Sequence, residues 1–212
     1  MADAIADEAA RLRWLADRVP VPTIRLSVAT PDRAWLLTDA APGLTGDEWL
    51  ARDIDALPAI IRGAAKLLQG WHALPVEDCP FDAGHRLRLA QARRNVDEGA
   101  VDTDDFDQDH QGWSAAAMLA HTEAIAPLQS ERVVTHGDFS LGNILFDEAG
   151  QVAACIDVGG AGVADPYQDI AIPWRNLSDF GVEWPAMLLL ELGIAAHDER
   201  RLQFHRCLDE MF

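Results

Sequence analysis

Between residues 133 and 171 the sequence reads VVTHGDFSLGNILFDEAGQVAACIDVGGAGVADPYQDIA, and three short polar side chains stand out in it: Asp138, Asn143 and Asp157. Asp138 follows a β-branched run, Asn143 comes five residues later, and Asp157 closes the next apolar run. Polar groups at the ends of buried strands usually face a cleft, because a sheet interior does not tolerate them unpaired. Transfer of the γ-phosphoryl group of ATP to a hydroxyl calls for such a set. A carboxylate must accept or position the hydroxyl proton, and oxygen ligands must grip magnesium beside the phosphates. Asp138 is the candidate base, with Asn143 and Asp157 the candidate magnesium ligands. Gly137 permits a tight loop before the base. Each residue alone fits ordinary turn chemistry; their order, with strands between them, favours the functional reading.

The elements that must position these groups are legible as patterns. Residues 143–157 alternate and turn as a hairpin, with Asn143 and Asp157 at its two ends. Upstream, residues 3–18 place Ile5, Ala9, Leu12 and Leu15 at helical spacing, and VPVP at 19–22 ends the helix. TIRLSVAT and RAWLLTDA alternate as strands, with Pro31 and Asp32 in the turn between them. AAPG at 40–43 breaks the chain as a hinge. Residues 57–74 then carry Ile60, Ile61, Ala64, Leu67, Leu68 and Trp71 on one helical face. Residues 86–98 and 113–126 read as further helices around an acidic loop, DTDDFDQDHQG, and three helices follow the hairpin. A small sheet before a mostly helical body is an α+β reading with unequal parts, 1–42 and 43–212.

Composition narrows the partners. The 212 residues hold 35 acidic and 17 basic side chains, a formal charge of −18. That argues against nucleic acid and anionic membranes, which are bound through clustered Lys and Arg, and it permits a cationic partner. Of the basic residues 16 are arginine, and Lys66 is the sole lysine. It lies on a helix pattern, as a solvated rim residue would. Cys79, Cys155 and Cys207 lack the spacing of a disulfide framework or zinc site, which favours a reducing compartment. The charged N-terminus is no signal peptide, and the longest apolar stretch, AMLLLELGIAA, is too short to span a bilayer. A cytoplasmic protein is expected. No pair among His85, His110, His121 and His136 has ligand spacing beside a carboxylate; His136 is better placed to brace the loop before Asp138.

The same segments resemble the aminoglycoside 3′-phosphotransferase family, whose fold is protein-kinase-like. DEAARLRWLADRVPVP is similar to the family's αC helix, and WLLTDAAPG to the strand and hinge that hold adenine. CPFDAGHRL, GAVDTDDFDQDHQG, HGDFSLGN, IDVGGAGVADPYQDIA and the terminal CLDEMF extend the likeness over nearly the whole chain. The resemblance implies Asp138 as catalytic base, Asn143 and Asp157 on magnesium, Glu8 as the αC glutamate, and backbone groups near Asp39 and Ala41 on the adenine of ATP. It implies Asp105, Asp107, Arg175, Asp209, Glu210 and the carboxylate of Phe212 as the pocket for the substrate's ammonium groups. Desolvating such amines is costly unless carboxylates replace the water. A single exposed pair is worth only about 0–1 kcal/mol, so several must act together in a partly enclosed cleft.

The resemblance also sets an expectation at the front. The family begins with strands bearing a phosphate-covering loop and a lysine, whereas this sequence starts at the αC-like helix, so a truncated N-terminal lobe is expected. Lys66 follows Glu8 and lies beyond the hinge, so it cannot stand in for that lysine. Either Met1 is internal to a longer protein, the favoured expectation, or the shortened chain is inactive. The strands at 23–40 would then show an unpaired edge. The alternatives to an active enzyme are a non-catalytic remnant, a binding module for a polycation, or a kinase of another small alcohol.

Overall fold

The computed structural model describes residues 2–127 and 131–212. Helix α1 (Ala2–Leu15) buries Ala9, Leu12 and Leu15, the stripe its spacing predicts. Strands β1 (Ile24–Ala29) and β2 (Ala34–Thr38) follow as an antiparallel hairpin. Its turn is closed by Thr30, whose N–H and hydroxyl both donate to the Arg33 carbonyl, at 2.7 and 3.0 Å. The register pairs Leu26 with Leu37 and Val28 with Trp35, and these four side chains are exposed. Alternation is thus as expected, but the larger apolar residues line the outward face, and both outer edges of the hairpin lack a strand partner among the described residues.

Beyond residues 39–43 comes β3 (Leu44–Thr45), then α2 (Gly46–Arg52). Thr45 and Glu48 form a capping box: the Thr45 hydroxyl accepts from the Glu48 N–H and the Glu48 carboxylate accepts from the Thr45 N–H. The central element is α3 (Leu57–His72), which buries Ile60, Ile61, Ala64, Leu67, Leu68 and Trp71 and leaves Lys66 exposed. Helices α4 (His85–Asp97) and α5 (Ala115–Ile125) build a second, smaller core with the last helix, α8 (Glu199–Asp209), around Phe106, Met118 and Phe204.

Between them lie the short strands. β4 (Val133–Thr135) pairs antiparallel with β7 (Gly162–Ala164), while β5 (Ile144–Phe146) pairs with β6 (Val152–Cys155) as the expected hairpin and takes β3 on its other side. Helices α6 (Tyr167–Ser178) and α7 (Glu183–Glu191) pack on each other, α6 against α8 and α7 against α3. Arg201 of α8 clamps the start of α6 by two hydrogen bonds to Asp165, at 3.0 and 2.7 Å. The architecture is α+β, a small hairpin lobe with one helix beside a mostly helical body. No described helix is long and apolar enough to cross a membrane.

Candidate active site

Strand β4 delivers the chain to His136 and Gly137, and both main-chain N–H groups there donate to one buried carboxylate. Asp169, in the first turn of α6, accepts from His136 through Oδ2 and from Gly137 through Oδ1, each at 2.8 Å. The His136 ring is fully buried. Its Nε2 lies 3.0 Å from the carbonyl oxygen of Ile156, an acceptor only, so Nε2 carries the proton. Nδ1 is then free to accept the Asp138 N–H, at 3.3 Å. Burial holds this imidazole below its usual range, in agreement with a neutral ring. His136 also packs edge-on against Trp71 and Phe139, and so braces the loop as its sequence position suggests.

Gly137 could be nothing else. Its φ is +92°, and an added Cβ would lie 2.2 Å from the carbonyl oxygen of Gly160. The loop before Asp138 is therefore stacked on the loop after Asp157. Asp138 itself is half-buried. The Asn143 side-chain amide donates to its carbonyl at 3.0 Å and to its carboxylate Oδ2 at 2.9 Å. That commits the NH2 end of Asn143 to Asp138 and turns the amide oxygen away from it.

Asn143 and Asp157 meet through the hairpin. The Asn143 carbonyl accepts from Ile156 N–H at 3.0 Å, one step beyond the Ile144–Cys155 pair, so Asp157 emerges beside Asn143. Asp157 takes a left-handed conformation, φ 57° and ψ 55°, and is exposed. A left-handed Asp is sparsely populated backbone, of the kind that accumulates at functional sites. These two residues present an amide oxygen and a carboxylate, the hard donors that suit magnesium carried on phosphates. Among the described residues no group of three or more His, Cys, Asp or Glu is placed to hold a metal ion.

Helix α1 closes over this corner. Arg11 donates to the Ala161 carbonyl at 2.7 Å, and a Cβ on Gly159 would touch Glu8. Burial, and then the nearby charge of Asp157, raise the Glu8 carboxyl above its ordinary range. Glu8 makes no ion pair among the described residues. At the hinge, Asp39 spends its carboxylate on Arg25, at 2.6 Å, and its N–H on the Thr23 carbonyl. The Asp39 carbonyl and the Ala41 N–H carry no hydrogen bond among the described residues, which leaves an acceptor and a donor two residues apart, a spacing that fits an adenine edge.

Asp138 opens on a cleft of about 990 Å³. Its near wall is Gly137, Gly159 and Gly160; α4 contributes Arg88, Gln91 and Asn95; the far wall is Asp102, Asp105, Arg175, Asp209, Glu210 and Phe212. Of the expected acidic residues, Asp105, Asp209 and Glu210 line this cleft and Asp107 does not, and they are not alike. Asp105 is exposed, and its carbonyl accepts from Arg175 at 3.2 Å. Asp107 is held between two arginines, Arg175 at 2.5 Å and Arg206 at 2.8 Å. Glu210 borders the cleft but turns inward: one oxygen meets His110 Nδ1 at 2.7 Å and the other accepts from the Asp107 N–H at 3.0 Å, with its side chain only 1% exposed. Asp209 faces the cleft, and burial pushes its carboxyl up to about 6, against the nearby Arg88 guanidinium. Phe212 is exposed at the rim.

A model of the phosphotransferase enzyme family matches residues 2–205. The chain belongs to that family. An aminoglycoside 3′-phosphotransferase from Escherichia coli is 42% identical over 212 residues, covering 100% of this chain and 78% of the relative. One from Streptomyces fradiae is 38% identical over 216 residues, covering 98% and 80%. The crystal structure of an aminoglycoside-3′-phosphotransferase of type VIII superposes with a TM-score of 0.91 at 37% identity, covering all of this chain and 81% of that one. An aminoglycoside phosphotransferase from Streptomyces rimosus, solved with ADP and streptomycin, gives 0.87 at 27% identity over 99% and 82%.

Within this phosphotransferase fold, several groups escape a reading of the sequence alone. Asp169 sits in the DPYQDIA segment, but nothing local shows that its partners lie 32 and 33 residues earlier. Arg88, Arg206 and His110 lie in stretches that read as ordinary helix or acidic loop. Their roles arise only where α4, α8 and that loop converge.

Proposed function

We propose that the protein to which these 212 residues belong transfers the γ-phosphoryl group of ATP to the 3′-hydroxyl of an aminoglycoside, with magnesium on the phosphates. The observation that carries the reading is a half-buried Asp138, aimed by Asn143, at the floor of a cleft whose far wall is the acidic C-terminal segment. The names of the relatives support the substrate class, and the Streptomyces rimosus complex supports a nucleotide as donor.

ATP with magnesium supplies an electrophilic phosphoryl group whose charge is partly neutralised. Asn143 and Asp157 would hold the metal, while Asp39 and Ala41 would receive adenine through main-chain groups. The segment up to residue 42 covers the nucleotide, and residues 43–212 carry the substrate. Asp138 orients the sugar hydroxyl and takes its proton as the oxygen bonds to phosphorus and ADP departs. Asp209, Asp105 and the Phe212 carboxylate receive ammonium groups directly. Asp107 and Glu210 act mainly by holding Arg175, Arg206 and His110 in place. ATP as donor and three free thiols support a cytoplasmic setting for the reaction.

Incubating the full-length protein with ATP, magnesium and kanamycin tests the reading. A mass gain of one phosphoryl group on the drug supports it. Unmodified kanamycin, with phosphorylation of another alcohol such as choline, would move the protein to a different substrate class.

A further inference from the structure

Arg88 stands where the acidic tail meets the loop that carries Asp138. It projects from α4, and its side chain is 13% exposed. Nη1 donates to the Gly137 carbonyl at 2.9 Å, and Nη2 lies 3.8 Å from Asp209 Oδ1. The Phe212 ring covers the guanidinium, with its centroid 4.4 Å from Cζ. Two helical turns further on, Asn95 donates to the Met211 carbonyl at 2.8 Å, so α4 grips the tail twice.

The Gly137 carbonyl belongs to the peptide whose N–H is that of Asp138. Arg88 fixes one end of this peptide, and His136 Nδ1 takes the other. The same guanidinium is the buried cation among three carboxylates, Asp209, Asp138 and Asp169. A planar, always-charged fork can donate at its edge and stack on its face at once, which an ammonium group cannot.

We propose that Arg88 is a positioning residue that couples the tail bearing Asp209 and Phe212 to the peptide orienting Asp138, so that capturing a cationic substrate and aligning the base are one event. The proposal rests on the phosphotransfer reading above. A bound amine would hold the tail in the seat it already occupies, with Phe212 on Arg88, and through Arg88 would keep the Gly137 carbonyl fixed.

The test compares Arg88→Met, Arg88→Lys, Phe212→Ala and the Arg88→Met/Phe212→Ala double variant. Hydrogen exchange of the unliganded protein is read first. Arg88→Met is expected to speed exchange both in residues 136–139 and in 207–212. Phe212→Ala alone is expected to do the same, and to add nothing in the Arg88→Met background. With kanamycin as substrate, Arg88→Met is expected to raise KM about tenfold and to lower kcat about tenfold. Arg88→Lys can still reach the Gly137 carbonyl but cannot stack, so it should restore most of kcat while KM stays raised. That split is not what a merely destabilised protein would show. Exchange changes confined to one segment, or additive effects of the two single substitutions, would overturn the coupling. If the parent chain neither binds nor modifies kanamycin, the substrate reading fails, while the exchange arm still decides the link. Should Arg88→Met not fold, Arg88→Lys and Phe212→Ala carry the same comparison.

Discussion

The side-chain amide of Asn143 donates to both the carbonyl and the Oδ2 carboxylate oxygen of Asp138, at 3.0 and 2.9 Å. On the proposed reading, one residue aims the base with its nitrogen and keeps its oxygen for a cation. Asn143→Ala should remove both services. A base misplaced by an ångström costs about a hundredfold in kcat, and the magnesium concentration for half-maximal rate should rise as well. Initial rates titrated with magnesium check this. An unchanged kcat with an unchanged magnesium requirement would dissociate Asn143 from the site.

Asp169 holds the loop from beneath. Both of its oxygens are occupied by main-chain N–H groups in a fully buried setting. Asp169→Asn leaves one acceptor oxygen and sets an NH2 against an N–H. The expected loss is about 2 kcal/mol of unfolding free energy, read from urea denaturation. Kinetically, kcat should fall more than KM rises, because the displaced groups lie next to Asp138.

Two neighbouring glycines should behave oppositely. Gly137→Ala would put a Cβ 2.2 Å from the Gly160 carbonyl oxygen, in a positive-φ conformation, and should cost about 3 kcal/mol. Gly160→Ala meets Gly137 no closer than 3.4 Å, an ordinary contact, and should stay within about 0.5 kcal/mol of the parent. Equal losses in denaturant unfolding would show that the two loops are not stacked as described.

Asp209 makes the cleft pH-sensitive. Its carboxyl is raised from 3.8 to about 6, by burial first and then, against Arg88 and Arg175, by the charges of Asp138 and Asp107. The folded state thus holds this proton more tightly than the unfolded chain does. The associated stability is complete below 3.8 and is lost as pH rises through about 6. Binding runs the other way, because an ammonium ligand needs the ionised form. Affinity for kanamycin should climb between pH 5 and pH 7, roughly the span centred on that raised value. Binding near pH 6 should release a proton, visible as a dependence of calorimetric heat on the buffer. Asp209→Asn should abolish both signs.

Much of this was legible before folding, for reasons that differ by element. The α3 stripe and the hairpin between Asn143 and Asp157 could be read because burial imposes its period on consecutive residues. Strands β1 and β2 were readable as strands, but not which face would be covered: Leu26, Val28, Trp35 and Leu37 point outward, a choice made by α1 packing and not by alternation. Around the candidate site, Asp138, Asn143 and Asp157 were visible as a group because they lie within twenty residues of sequence. The inward turn of Glu210 was not, because it depends on His110 lying 100 positions away. Asp107 was identifiable as acidic, but its two arginine partners come from α6 and α8. Long-range pairing converts some of an acidic tail from ligand to scaffold, and no local pattern records that.

The central claim is that Asp138 drives phosphoryl transfer to a cationic sugar bound against the tail. Turnover and calorimetric binding of kanamycin, measured side by side for the full-length parent protein and for its Asp138→Ala variant in the presence of ATP and magnesium, address it most directly. The account predicts phosphorylated drug from the parent, a fall in rate of at least about a thousandfold in the variant, and drug affinity changed by less than about threefold. A variant that turns over at the parental rate, or a parent that binds the drug yet never modifies it, would contradict the account.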